Sequence, residues 1–402
     1  MRILLVDKEE FNKVGGIGVF TQRLKLHLIN REHEAYVVRF SNKKNNQKNT
    51  FHIPYYFANE RAIFVPKEES LSLFKKYIFN IKPDIVYTAI GLSPLDIFIP
   101  TICHEFGIPA VGVWHADLNN SDSSYQLILK SLFLTYSPIC KQFDLLHVFT
   151  DKLAQYYINR GINRNKILVL PNGVDTNIYK RIKQTKFKQK HAINRGILFL
   201  GRLTSDKNPK MLINSFLNLN PQDNTKLVLV GPGDLERSLR EEYKDKRIIF
   251  TGLVKDEKEK VDILSSCEIF VLPSKFEGMP LALLEAMSCG LACIASDAGS
   301  NGEVLDRSGV VINHSHIKTQ LPFALKLLLD YPVLTEFLAE RARERMLDRY
   351  SQEVIFGNLV SNFKNVVNKF RKKNLEEKHI SIDKKIINKI ESLWKKTIDY
   401  VV

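Results

Sequence analysis

Pro273-Ser-Lys-Phe-Glu-Gly-Met-Pro-Leu-Ala-Leu-Leu-Glu-Ala-Met-Ser-Cys-Gly290 is the stretch whose reading decides the fold. It follows a strand-like run, Ile269-Phe-Val-Leu272, passes through Glu277-Gly278, and enters a helix that Pro280 is suited to open. The first amides of such a helix lack partners within it and carry partial positive charge, so they can seat a phosphate. Two carboxylates punctuate the seat, Glu277 in the loop and Glu285 on the second helical turn. Both could accept hydroxyl hydrogens from one ligand, the shape of a sugar-nucleotide site. The plainer reading is that acidic residues near a helix start only complement its dipole.

Working outward, segments that read as strand and helix alternate almost throughout, the pattern of parallel sheets flanked by helices. In the first half the expected strands are Ile3–Val6, Ala35–Phe40, Ile85–Thr88, Ala110–Trp114, Leu145–Phe149 and Ile167–Leu170. In the second they are Ile197–Leu200, Leu227–Val230, Ile248–Phe250, Ile269–Leu272 and Cys293–Ala295. The fold class expected is α/β, with two doubly wound parallel sheets. A basic polar stretch, Thr176–Arg195, reads as the linker between domains, placing one domain at 1–178 and the other at 192–349. Ser41–Thr50 reads as a solvated loop, and the chain beyond Pro332 as helical. The segment 371–402 carries an apolar stripe, Ile386, Ile390, Leu393, Trp394, Ile398 and Val401, edged with lysines. Such a tail could lie on a membrane surface or pack on protein.

The 402 residues suit two domains, and 44% hydrophobic with 26% charged residues is the composition of a globular protein. No run is long enough to span a bilayer, and Arg2–Asp7 is too short for the apolar core of a signal peptide. The expected compartment is therefore the cytoplasm, with the cytoplasmic membrane face open to the basic tail. Five cysteines, Cys103, Cys140, Cys267, Cys289 and Cys293, read as reduced thiols. Cys289 and Cys293 lack a second Cys/His pair, so no metal site is expected. A net charge of +15 calls for an acidic partner: nucleic acid, anionic lipid or a diphosphate. Six basic residues lie between Lys180 and Lys190 with no acidic one, so charge gathers in a linker and tail rather than on a recognition helix. No nucleic-acid partner is expected on that pattern.

Upstream, Gly201-Arg-Leu-Thr-Ser-Asp-Lys207 follows the first strand of the second half. Ligands of open parallel sheets bind at the carboxyl ends of strands. Arg202 offers a forked donor set there and Lys207 a compact charge, suited to a departing diphosphate. Gly231-Pro-Gly233 and Thr251-Gly-Leu-Val254 end the next two strands at the same edge. Gly15-Gly16-Ile-Gly18 follows the first strand of the chain, but it is not a dinucleotide fingerprint.

Together, Gly201-Arg202 with Lys207, Gly231-Pro-Gly233 and Glu277-Gly-Met-Pro-Leu-Ala-Leu-Leu-Glu285 resemble the donor half of a retaining glycosyltransferase of family 4, with the GT-B fold. Pro171-Asn-Gly-Val-Asp175 and Gly15-Gly16 extend the resemblance, which covers about residues 1 to 370. It implies two Rossmann-like domains facing a cleft, an acceptor-binding first domain, a nucleotide-sugar-binding second domain, and a crossover helix near 350–370. Carried over by position, Arg202 and Lys207 would hold the donor diphosphate, Glu285 the ribose hydroxyls and Glu277 the sugar hydroxyls. The amides of Gly278 and Met279 would reach phosphate or sugar, Gly231 and Val254 would line the nucleotide, and Gly16 would approach the diphosphate. His115 would sit by the transferred sugar, and Asp117 is a candidate for the acceptor.

The activity implied is metal-free transfer of a hexose, from a uridine-diphosphate sugar by preference, to an acceptor hydroxyl with retention. No cofactor is implied; the acceptor class is a glycan, a lipid or a lipid-linked glycan. A nucleotide-sugar epimerase of the same fold and a basic nucleic-acid-binding protein are the alternatives. Three departures from the family pattern stand out: Asn208 after Lys207, Gly299-Ser-Asn-Gly-Glu303 in place of a Gly-Gly-x-x-Glu loop, and Thr150-Asp151 where Ser-Glu is common.

Overall fold

The computed structural model describes residues 1–7, 16–42, 48–58, 64–91, 93–114, 138–221 and 224–376. His115, Asp117 and the apolar stripe of the tail lie outside these residues. The chain divides into two compact units. One is built on the described residues up to Val169 together with the last helix from Leu359 onward; the other runs from Leu170 to Asn358.

The first unit opens with β1 (Arg2–Asp7) and α1 (Gly16–Asn30), followed by β2 (Glu34–Phe40), β3 (Thr50–Ile53), β4 (Tyr55–Ala58) and β5 (Phe64–Pro66). Then come α2 (Ser70–Ile81), β6 (Ile85–Ile90), α3 (Leu95–Glu105), β7 (Ala110–Trp114), β8 (Leu145–Val148), α4 (Asp151–Ile158) and β9 (Ile167–Val169). Among the described residues its main sheet has the order β3-β2-β1-β6-β7-β8-β9, with parallel pairing throughout. β4 and β5 form a separate antiparallel pair. Every residue of β6 and β7 is buried, as expected of strands covered on both faces. α1 lies on this sheet through Phe20, Leu24 and Leu28, one helical stripe at four-residue spacing.

The second unit contains α5 (Lys186–Lys190), β10 (Arg195–Leu200), α6 (Pro209–Leu219), β11 (Thr225–Val230), α7 (Glu236–Glu242), β12 (Ile248–Gly252) and α8 (Glu257–Ser265). β13 (Ile269–Leu272), α9 (Leu281–Ser288), β14 (Ala292–Ser296), α10 (Asn301–Leu305) and β15 (Gly309–Ile312) follow, then α11 (Ile317–Asp330) and α12 (Pro332–Arg349). The sheet order is β12-β11-β10-β13-β14-β15, all parallel. Phe199, Leu212, Phe216, Leu227, Ile294 and Leu325 are among the side chains that fill its core. α13 (Gln352–Glu376) starts in this unit and ends in the other.

Two Rossmann-like parallel sheets are therefore present, and every strand expected from the sequence is found, Ala110–Trp114 and Ile269–Leu272 to the residue. β3, β4, β5 and β15 are additional. They are three or four residues long; Pro54 separates β3 from β4, and the apolar run of β15, Gly309–Ile312, is only four residues.

The basic stretch read as a linker is corrected by its packing. Tyr179 is fully buried, Ser288 Oγ donates to its carbonyl at 2.5 Å, and Arg181 donates to the carbonyls of Gly290 and Cys267. Asp262 accepts from the amides of Lys186 and Phe187 at 3.0 and 2.8 Å. The lysines there are surface decoration on a segment anchored by Tyr179, Arg181 and its backbone, and the units divide earlier, between Val169 and Leu170.

Candidate functional site at a strand-order reversal

In the second unit, successive strands step one way from β10 to β12 and the other way from β13 to β15. At such a reversal the loops leaving β10 and β13 part company, which opens a crevice at the carboxyl ends of the strands. Arg202 and Lys207 lie on the first of these loops, Glu277 and Gly278 on the second.

Backbone hydrogen bonds lace the loops together. Gly201 N donates to Val230 O at 2.9 Å, Leu203 N to Pro232 O at 2.8 Å, and Gly231 N to Gly252 O at 2.9 Å. Lys275 N donates to Asp206 O at 2.7 Å, tying the loop after β13 to the loop after β10. Val254 lies two residues beyond the end of β12 and is half-buried.

Across this frame Lys207 Nζ donates to Glu277 Oε1 at 2.7 Å. Ser274 Oγ donates to the same oxygen at 2.6 Å. The Glu277 side chain is 6% exposed and that of Lys207 17%. Arg202 differs: its side chain is 65% exposed, and its nearest carboxylate is Asp206, 3.6 Å away on the same loop. A surface pair of that length holds its partners weakly, so the guanidinium is available to a ligand.

α9 starts at Leu281, one residue later than expected. Pro280 has φ −77° and ψ 113°, an extended conformation, and so acts as the N-cap and not as the first helical residue. It brings no side-chain cap, and the first turn contains no acidic residue. That leaves the dipole at this end for a ligand to complement. Ser300 donates to Gly278 O through both its amide, at 3.2 Å, and its hydroxyl, at 2.6 Å. In a trans peptide the N–H of Met279 then points away from Ser300. Asn172 braces the other side, its amide on Met279 Sδ at 3.1 Å and its side-chain nitrogen on Met279 O at 3.3 Å.

Glu285 is 4% exposed and lies on α9, where Lys260 reaches both of its carboxylate oxygens at 3.3 Å. The candidate residues thus fall into two groups. Arg202, Lys207, Gly231, Glu277, Gly278 and Met279 share the interlaced loops, and Glu285 has its own partners on α8. Gly16 is the first residue of α1 in the first unit. Lys260 belongs to no motif that would have singled it out; Ser274 lies in the opening stretch and Ser300 in Gly299–Glu303, but neither was given a role, and Asn172 was expected only as part of Pro171–Asp175.

Residues 14–178 match the family described as Glycosyltransferase Family 4, and residues 194–330 match Glycosyl transferases group 1. Among curated proteins, an Escherichia coli UDP-Gal:alpha-D-GlcNAc-diphosphoundecaprenol alpha-1,3-galactosyltransferase is 37% identical over 153 residues, covering 34% of this chain and 38% of that protein. The chain spans 38%, 51% and 49% of the lengths of the first three curated relatives it matches. Sucrose-phosphate synthase from Thermosynechococcus elongatus superposes with a TM-score of 0.74 at 18% identity, over 92% of this chain and 99% of that one. Anabaena HepE in complex with UDP gives a TM-score of 0.73 at 17% identity, over 91% and 100%. At these identities the structural likeness speaks for the fold.

Proposed function

The chain belongs to the GT-B glycosyltransferases of family 4, and on that premise we propose that it transfers a hexose from a nucleoside diphosphate sugar to an acceptor hydroxyl, retaining the anomeric configuration. The observation that carries the reading is the placement of Arg202 and the Lys207–Glu277 pair on the two loops that flank the strand-order reversal. A donor set of this kind fits a diphosphate whose charge grows as the glycosidic bond breaks. Arg202 grips phosphate oxygens, Lys207 shares its hydrogens between phosphate and Glu277, and the uncapped end of α9 completes the seat. These groups carry the leaving charge, and the reading assigns no metal or other cofactor.

In the step itself the acceptor oxygen bonds to the anomeric carbon on the face the diphosphate leaves. The bond from that carbon to the phosphate oxygen breaks, and the hydroxyl proton passes to the departing phosphate. Glu277 holds sugar hydroxyls in this reading and Glu285 the ribose. We favour a uridine donor and a lipid-linked glycan acceptor. The support is the E. coli relative, whose name gives UDP-Gal and a diphosphoundecaprenol-linked sugar, together with the net charge of +15. The same charge and the basic tail support a peripheral place on the cytoplasmic membrane face.

A panel of UDP- and GDP-sugars, each scored for protection against melting and for consumption with and without acceptor glycans, tests the reading. One sugar nucleotide should protect the chain and be consumed chiefly when an acceptor is present. Absence of protection by every sugar nucleotide would end it, and conversion of the donor to an epimer would move the chain to the alternative.

A further inference from the structure

The turn between α10 and β15, Asp306-Arg307-Ser308, faces the C-terminal half of α12 across a cavity of about 410 Å³. Because this turn leads into a parallel strand, it lies at the amino ends of the strands, the edge opposite the loops that carry Arg202 and Glu277. Arg341, Arg345 and Arg349 line the cavity from α12 at four-residue spacing, one face of the helix. Arg307 joins them from the turn, so the walls carry four guanidiniums against three carboxylates, Asp306, Glu344 and Asp348. Ser308 is buried in the same wall.

Two of the four arginines are committed within the protein. The Arg345 side chain is 12% exposed; it pairs with Asp306 at 3.2 Å and donates to Val304 O and Glu303 O at 2.8 Å each. Arg341 pairs with Glu344 at 3.3 Å on the surface. Among the described residues, Arg307, Arg349 and Asp348 take part in no ion pair. Arg307 also has φ +62°, a left-handed backbone that glycine would adopt at lower cost. We propose that this cavity binds the phosphate monoester of a small hydroxylated molecule. Such a group carries about two negative charges at neutral pH, and the forks of Arg307 and Arg349 match its oxygens in pairs. Asp348 accepts from hydroxyls on the carrier, and the bonds of Arg345 hold the wall in place before the ligand arrives. The volume lies within the range of roughly 300–1,000 Å³ usual for small-molecule sites. Arg349 also stands in the last turn of α12, where a cation complements the helix dipole without any ligand. That role does not account for Arg307, which sits on no helix. None of this depends on what the donor loops bind.

Inorganic phosphate, glycerol 3-phosphate and glycerol are titrated calorimetrically into the full chain and into Arg307→Gly, Arg349→Gln, their double variant, Asp348→Ala and Arg202→Ala. The parent should bind glycerol 3-phosphate with a Kd below about 1 mM, more tightly than inorganic phosphate, and glycerol not at all. Arg307→Gly and Arg349→Gln should each weaken binding by roughly tenfold, the usual effect of losing one charge-assisted contact, and the double variant should bind neither phosphate. Asp348→Ala should erase the preference for glycerol 3-phosphate over inorganic phosphate. Arg202→Ala should bind as the parent does, because the donor loops lie at the other edge. Glycine suits the backbone at position 307, so Arg307→Gly should keep a urea midpoint no lower than the parent's while losing the ligand.

Failure of the parent to bind either phosphate would overturn the site. Binding that survives in the double variant would place the anion elsewhere, and binding that Arg202→Ala abolishes would place it on the donor loops; either result ends the assignment. Equal affinity of the parent for the two phosphates would refute the hydroxylated carrier.

Discussion

A Cβ on Gly231 would lie 2.1 Å from the carbonyl oxygen of Gly201, and Gly231 has φ +126°. The loop carrying Arg202 is thus pressed against the loop after β11 at a point where an L side chain has neither the space nor the backbone conformation. Gly231→Ala should cost roughly 2–4 kcal/mol, combining strain with displacement of Gly201. The urea midpoint measures it. A loss under about 1 kcal/mol would mean that the two loops part easily and do not hold Arg202.

Arg202 and Lys207 are expected to separate stability from transfer. Lys207→Ala leaves Glu277 buried without its cation, which should lower stability by roughly 3 kcal/mol as well as activity. Arg202 is mostly exposed, and Arg202→Ala should leave stability within about 0.5 kcal/mol. Sugar transfer by the same variant should drop on the order of a hundredfold, the usual effect of removing one donor to a developing anion. Parallel denaturation and turnover measurements decide it, and near-parental transfer by Arg202→Ala would remove it from the diphosphate.

These two residues also show how far a sequence reaches here. Strands such as Ile269–Leu272 were legible because a parallel strand buried on both faces is a continuous apolar run. Arg202, Lys207 and Glu277 were legible as a group because loops at strand ends carry the ligands of this architecture. The brackets around them were not. Ser300 meets Gly278 from 22 residues away, Lys260 meets Glu285 from 25, and Asn172 meets Met279 from 107. No local pattern encodes such contacts. The linker reading failed for a related reason: six basic residues near Lys180–Lys190 mark a solvated face, but they do not show where the backbone beneath them docks.

The five cysteines give the pH prediction. All are buried, and burial pushes the thiols of Cys140, Cys267 and Cys289 up to about 12 and those of Cys103 and Cys293 up as well. A thiol raised in the folded state and ordinary, near 9.0, in the unfolded state favours folding fully below the unfolded value. That contribution is lost as pH climbs from about 9 towards 12, by up to about 1.4 kcal/mol per thiol per pH unit. Stability should therefore fall between about pH 9 and 11, and thiolate absorbance should appear only on unfolding. Thiolate absorbance in the folded chain near pH 9 would contradict the burial.

Arg343 provides the test of how the basic stretch is held. Its guanidinium donates to Tyr179 O at 2.9 Å, Ser288 O at 2.7 Å and Ser288 Oγ at 2.9 Å, and to Thr176 O at 2.9 Å. Burial lowers its pKa from the ordinary arginine value, as expected for a cation drawn out of water. Arg343→Ala would take a donor from each of these acceptors, of which Tyr179 O keeps Ser288 Oγ, at a cost of roughly 3 kcal/mol. Tyr179 would then lose part of the support that keeps its hydroxyl beside Lys260. The variant should therefore become sensitive to trypsin within Lys180–Lys190 under conditions that spare the parent. Unchanged cleavage in this segment would show that Tyr179 and Asp262 hold the stretch without Arg343. Arg343→Lys offers the control: it keeps the charge but loses the fork, so it should recover only part of the protection.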